Sequence, residues 1–273
     1  MDTRNPNWLL PDWPAPRGVH AVFTTRQGGV SAAPWDQMNL GDHVGDVPSD
    51  VAANRARLSL AVGARAVFMQ QVHGNAVQVL DARTPAGCQA DACVTQNAGV
   101  ACTIMVADCL PVLLSSSCGS VVGAAHAGWR GLAGTVGCPP TGVLEAIYQS
   151  FSTLVDTKRC GLAIDLIAWL GPCIGPDAFE VGAEVKAAFL AVDVRAAGCF
   201  KATGPGKFMA DLPALARLRL KALGITAIYG NDSSSAWCTA SNPSKFFSHR
   251  RDAGLNGNGF FTTGRMAACI WKD

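Results

Sequence analysis

Val100-Ala101-Cys102-Thr103-Ile104-Met105-Val106 and Leu110-Pro111-Val112-Leu113-Leu114-Ser115 are two apolar runs joined by Ala107-Asp108-Cys109. Runs this short and continuous suit strands buried on both faces. The pattern continues on either side, predicting strands over Asp91–Thr95, Val100–Val106, Pro111–Ser115 and Ser120–Ala125 with turn residues between them. Cys109 then falls at the junction of two strands. His126 falls at the end of another, just before Gly128 and Gly131.

Upstream, Val19–Thr24 reads as a strand and Thr25-Arg26-Gln27-Gly28-Gly29-Val30-Ser31 as a loop whose paired glycines allow a close approach to backbone. A helix is predicted over Ser49–Ala61, capped by Ser49. Short strands over Val67–Gln71 and Ala76–Leu80 place His73-Gly74 on a bend. Downstream, helices are predicted over Thr141–Phe151, Val181–Phe189 and Asp211–Leu223, and strands over Leu162–Leu170, Ile225–Tyr229 and Arg265–Trp271. Asp211–Leu223 is the clearest helix: Asp211 caps it, Pro213 fits its first turn, and Gly224 ends it. Gly171-Pro172-Cys173-Ile174-Gly175-Pro176 must be irregular. Strands and helices interleave without a repeat or linker, which predicts a single α+β or α/β domain over residues 1–273.

Composition narrows the function classes. The 273 residues are 49% hydrophobic and 15% charged, which suits a compact globular protein. The formal net charge is +2 without a Lys/Arg block, so no footprint for nucleic acid or an anionic membrane is expected. No apolar run approaches the roughly 18 residues of a membrane span. The N-terminus has no signal core, so a cytoplasmic protein is expected. The 11 cysteines are odd in number and scattered through apolar segments, and none forms a CxxC pair. Most read as small buried hydrophobes rather than a disulfide framework or zinc ribbon.

His73, Cys109 and His126 each sit at a strand end or bend beside Gly or Asp, where a side chain can face a cleft. One thiol and two imidazoles can make a three-ligand metal site with its fourth position open, the pattern of catalytic zinc. Each residue taken alone also reads as ordinary core. Asp108 can support the site, act as a general base, or simply cap a turn. The same residues can also form a Cys/His hydrolase, with Cys109 as nucleophile and His126 or His73 as base. Arg26, on its Gly-rich loop, is the candidate for an anion, with an ordinary surface arginine as the alternative.

Gln71-Val72-His73-Gly74, Ala107-Asp108-Cys109-Leu110-Pro111-Val112-Leu113-Leu114, Ala125-His126-Ala127-Gly128-Trp129-Arg130-Gly131, Gly171-Pro172-Cys173-Ile174-Gly175 and Phe246-Phe247-Ser248-His249-Arg250-Arg251-Asp252 together resemble the YfiH/DUF152 family. That family is also called the polyphenol oxidase (laccase-domain) or purine nucleoside phosphorylase family. Thr24–Ser31 and Asp211–Leu215 match as well, so the resemblance runs along nearly the whole chain. It implies one domain of mixed β-sheets packed together with helices on the outside. It also implies a zinc site at His73, Cys109 and His126. The implied activity is phosphorolysis of adenosine, inosine, guanosine and methylthioadenosine to base plus ribose 1-phosphate, with deamination of adenosine. Bacterial relatives are also linked to peptidoglycan-precursor editing and to copper-dependent laccase activity. The chain departs from the family pattern at Gly137-Cys138-Pro139-Pro140, an apparent insertion, at Val106, and at His249, where an aromatic residue is usual.

The chain has five histidines, and a four-copper laccase centre needs about ten, so copper in place of zinc would be a single ion. Phosphorolysis also needs contacts for phosphate and nucleoside. Arg26 is the phosphate candidate, and Asn39, Arg130, His249 and Arg250 are further substrate contacts. Three readings therefore stand: a zinc-dependent nucleoside phosphorylase and deaminase, a cell-wall-precursor amidase using the same Cys/His residues, and a non-catalytic metal or nucleotide binder. The expected ligands are purine nucleosides and phosphate, and no protein partner can be inferred.

Overall fold

The structure is a computed structural model, described here over residues 6–134, 141–155, 165–252 and 263–273. Strand β1 (Val19–Phe23) and helix α1 (Pro48–Val62) come first. Strands β2 (Arg65–Phe68), β3 (Val77–Leu80), β4 (Ala92–Thr95), β5 (Val100–Val106), β6 (Leu110–Ser116) and β7 (Val122–Ala127) follow. Helix α2 (Trp129–Ala133) leaves β7 directly. After it come α3 (Val143–Leu154), β8 (Leu166–Leu170), β9 (Glu180–Gly182) and α4 (Ala183–Leu190). The last third holds the hairpin β10 (Phe200–Gly204) and β11 (Lys207–Ala210), then α5 (Leu212–Ala222), β12 (Ala227–Gly230), the one-turn α6 (His249–Asp252) and β13 (Met266–Lys272).

The strands form three sheets, in the orders β1-β13-β5-β2, β12-β8-β6-β7-β4-β3 and β10-β11-β9. The first two mix parallel and antiparallel pairs. Side-chain parity sorts their residues into layers. Cys102, Ile104 and Val106 of β5 meet Cys93, Leu113, Val122 and Ala124 between the two large sheets. The alternate residues Ala101 and Met105 pack outward with Leu58 and Val62 of α1. On the far side, Val112, Leu114, Ala125 and Ala127 pack against Ile147 and Phe151 of α3 and Leu212 and Leu220 of α5. Every residue of β5, β6 and β7 is buried, which is why these strands read as continuous apolar runs. The result is two mixed sheets face to face with helices outside, as the resemblance implies.

Several boundaries differ from the sequence reading, each for a local reason. Ser49 does not cap α1: Pro48 occupies the first helical turn, and Val47 is the cap residue without a side-chain bond. Proline suits that position because its fixed φ is already helical and its missing N–H needs no partner. Val181 is not helical. It pairs with Phe208 across an antiparallel ladder, and the helix starts at Ala183. Strand β7 runs on to Ala127, past the predicted end at Ala125, so His126 lies within it, opposite Pro111. Asp211 does cap α5, accepting from the Ala214 N–H at 2.9 Å. Residues 137–140 and the start of the predicted 162–170 strand lie outside the described residues. Among the described residues, eight cysteines are free thiols, five of them buried, and Cys118 is disulfide-bonded. No helix among the described residues is long and apolar enough to cross a membrane.

Candidate metal and substrate site

Ala107-Asp108-Cys109 carries the chain from β5 in one large sheet to β6 in the other. The crossing is tight enough to hold Asp108 at φ 86°, an uncommon left-handed conformation for a non-glycine residue. It leaves Cys109 half-buried at the mouth between the sheets. His126 has the parity of Val122 and Ala124 and points into that same inter-sheet space. His73, the third member, is also left-handed at φ 62°.

One buried carboxylate organises both histidines. Asp91 accepts the backbone N–H groups of Val72, His73 and Gly74 at 3.1, 2.8 and 2.7 Å. Its Oδ1 also lies 2.9 Å from Nδ1 of His126. That bond leaves Nε2 of His126 facing Cys109. Gln71 adds a second tether: its amide exchanges two 2.8 Å hydrogen bonds with the backbone of Met105 at the end of β5. Glycine then allows the close approach. A Cβ on Gly128 would stand 2.9 Å from Cys109 Sγ and 3.1 Å from His73 Cδ2.

Cys109 Sγ lies 3.7 Å from His73 Nε2, and the donor atoms of His73, Cys109 and His126 all fall within 4.8 Å of one another. Ideal tetrahedral zinc, with Zn–N of ~2.0 Å and Zn–S of ~2.3 Å, sets its ligand atoms roughly 3.3–3.6 Å apart. The set fits such an ion after shifts of tenths of an ångström to about one ångström. A thiolate with two imidazoles suits zinc or copper equally, so the donors do not choose the metal.

The charges agree. Burial pushes the Cys109 thiol up, but His126 and the hydrogen bonds from both histidines outweigh it and bring the thiol to about 6. Burial pushes His126 down, but the Cys109 thiolate and Asp91 raise it to about 9. Without metal, the pair is therefore thiolate and imidazolium at neutral pH.

The three residues open onto a cleft of about 260 Å³. Met105, Trp129, Ile174, Phe179 and Leu212 supply its apolar wall, and His43, His249, Arg250 and Arg265 its polar groups. His249 and Arg250, expected from sequence, are there. Arg250, however, donates its guanidinium to the Ala178 and Glu180 carbonyls at the rim. Asp108 also lines the cleft, with both carboxylate oxygens engaged. It accepts from Thr239 Oγ1 and from the Arg250 N–H, each at 2.6 Å.

The other three expected contacts lie elsewhere. Arg26 does not line the cleft. It donates to the Asp36 carbonyl and carboxylate and to the Pro243 carbonyl, and it stacks 4.7 Å from the Phe247 ring centre. Its loop is braced by the arginine rather than opened to a ligand. Asn39 is fully buried and bonded to Gly41, Asp46 and the Arg265 N–H. Arg130 is exposed and lies over Trp129 at 4.4 Å. Asp91 and Arg265 went unrecognised in the sequence. A carboxylate opening the apolar run Ala90-Asp91-Ala92-Cys93-Val94 was a usable signal, because a buried charge requires partners. Arg265, one polar residue before a strand, gave none.

A model of the family described as multi-copper polyphenol oxidoreductase laccase matches residues 20–273. A purine nucleoside phosphorylase of Pseudomonas aeruginosa is 46% identical over 265 residues, covering 97% of this chain and 98% of the relative. The purine nucleoside phosphorylase YfiH of Escherichia coli is 44% identical, covering 96% of this chain and 98% of the relative. Among solved structures, a Neisseria meningitidis protein of DUF152 superposes with a TM-score of 0.82 at 41% identity, covering 98% of this chain and 99% of that one. YlmD of Geobacillus stearothermophilus superposes with a TM-score of 0.79 at 30% identity, covering 97% and 96%. With a family match spanning the site and relatives this similar over almost their whole lengths, the chain belongs to the YfiH/DUF152 family.

Proposed function

We propose that the chain is a zinc-dependent purine nucleoside phosphorylase. In this reading it converts adenosine, inosine, guanosine and methylthioadenosine with phosphate to free base and the ribose 1-phosphate, and it deaminates adenosine to inosine. Residues 1–273 act as one catalytic domain in the cytoplasm, on small molecules. The observation that carries the reading is the convergence of His73, Cys109 and His126 at the floor of one cleft, in a chain 44–46% identical to relatives that bear the phosphorylase name.

Phosphorolysis makes a bond from a phosphate oxygen to C1′ as the C1′–N9 bond breaks, and the purine leaves with the electron pair and takes up a proton. A metal on the three ligands would supply Lewis acidity and, for deamination, would lower the pKa of a water. Trp129 and Phe179 offer flat apolar surface to a purine. His249, held below the usual histidine range by burial and by Arg265, is neutral at pH 7 and can donate or accept a hydrogen bond at the cleft edge. Incubation with adenosine, with and without phosphate, tests the reading. Ribose 1-phosphate is expected only with phosphate, and inosine is expected in both tubes. Absence of both products from metal-loaded protein overturns it.

The thiolate–imidazolium pair favours a second reading, in which Cys109 is the nucleophile of an amidase acting on a peptidoglycan precursor. Chelation separates the two. Stripping metal abolishes phosphorolysis but leaves a thiol nucleophile active on a muropeptide.

A further inference from the structure

We propose that Arg265 is the phosphate subsite of this cleft. The assignment rests on the phosphorylase reading and names where that reaction's second substrate sits. Arg265 lines the cleft with His43, Cys109 and His126. Its position is built from behind. Its N–H donates to Asn39 Oδ1 at 2.9 Å, and the buried Asn39 is itself held by Gly41 and Asp46. Gly41 lets the side chain pass, because a Cβ there would come within 2.7 Å of Arg265 Cγ. Nη1 is anchored to the Thr263 and Gly264 carbonyls at 2.9 and 3.3 Å.

Among the described residues, the rest of the guanidinium has no partner: Nε and Nη2 of Arg265 make no hydrogen bond and no carboxylate pairs with it. Burial pushes its pKa down, while the nearby Cys109 thiolate and Asp108 push it up. Among the described residues lining the cleft, Asp108 is the one carboxylate, and both its oxygens already accept hydrogen bonds. Arg26 presents the opposite case: Nε, Nη1 and Nη2 each donate to a partner. A guanidinium clamped at one nitrogen and open at two offers the planar, two-point geometry that phosphate oxygens accept. The alternative source of the same chemistry is the phosphate ester of a nucleotide.

Calorimetric titration of metal-loaded protein with inorganic phosphate, and separately with adenosine 5′-monophosphate, tests the assignment. Inorganic phosphate is expected to bind the wild type, about 10- to 100-fold more weakly to Arg265→Gln, and unchanged to Arg26→Gln. Arg265→Lys keeps the charge and loses the fork, so its affinity should fall in between. This graded loss distinguishes a ligand contact from a folding defect, and thermal unfolding checks each variant. The Michaelis constant for phosphate should rise in the same order. Equal phosphate affinity in wild type and Arg265→Gln overturns the subsite, as does binding of the nucleotide alone. If phosphate binds through Arg265 but no nucleoside is cleaved, the subsite stands and the phosphorylase reading fails. If cleavage and phosphate binding both survive Arg265→Gln, the subsite fails alone.

Discussion

Asp91 shows how much one buried residue can do. Its four bonds fold the His73 bend and set the tautomer of His126, so both imidazoles depend on it. Asp91→Asn keeps the size but removes the charge and one acceptor. Metal affinity should fall about 10- to 100-fold, read by competition with a chromophoric chelator. An unchanged affinity would mean the histidines orient without it. Gly128→Ala probes a different constraint. The backbone there, at φ −64° and ψ 160°, accepts any residue, so the fold should hold. The new methyl crowds Cys109 and His73, and metal affinity should fall on the order of tenfold. His73, Cys109 and His126 were legible mainly through the family motifs that carry them; the Gly and Asp that flank them at breaks in apolar runs gave a weaker signal. Arg26 misled because a Gly-rich loop beside an arginine looks the same whether the arginine faces a ligand or ties down its own loop.

At the scale of elements, legibility followed the source of the signal. The α5 helix carries its own start and stop, Asp211, Pro213 and Gly224, and its sequence reading was right to a residue at each end. Asp211→Ala should cost about 1 kcal/mol, visible as a lower midpoint in denaturant with an unchanged slope. Asp211 also accepts from Ser233 Oγ at 2.8 Å, so a loss above that figure would mark the tertiary bond. Strand β9 is three residues long and exists because β11 pairs with it, and no local pattern encodes that partner. The same holds for the pairing of β2 and β3 into different sheets, although they are close in sequence. The chain separates them at the His73 bend, so the bend belongs to the topology as much as to the site.

At the scale of the whole molecule, the site sits where the chain passes between its two large sheets, so metal binding there would be coupled to sheet packing. The ionisation of the pair makes that coupling measurable. The folded pKa of Cys109 is depressed from 9.0 to about 6, so its contribution to stability is present above 9 and lost as pH falls through 6. That of His126 is raised from 6.5 to about 9, so its contribution is present below 6.5 and lost as pH rises through 9. Between about 6.5 and 9 these run in opposite directions and offset, so this pair leaves metal-free stability nearly flat with pH. Metal binding has no such cancellation, since it needs the thiolate and the neutral imidazole together. Across that window Cys109 is already ionised and His126 still carries its proton. One proton should therefore leave the pair per metal bound, with affinity rising about tenfold per pH unit until about pH 9. Calorimetry of zinc binding at pH 7.5, in buffers of different ionisation enthalpy, counts that proton directly. A count near zero at pH 7.5 would mean that His126 is neutral before metal arrives, and would remove the thiolate–imidazolium pair on which the amidase reading depends.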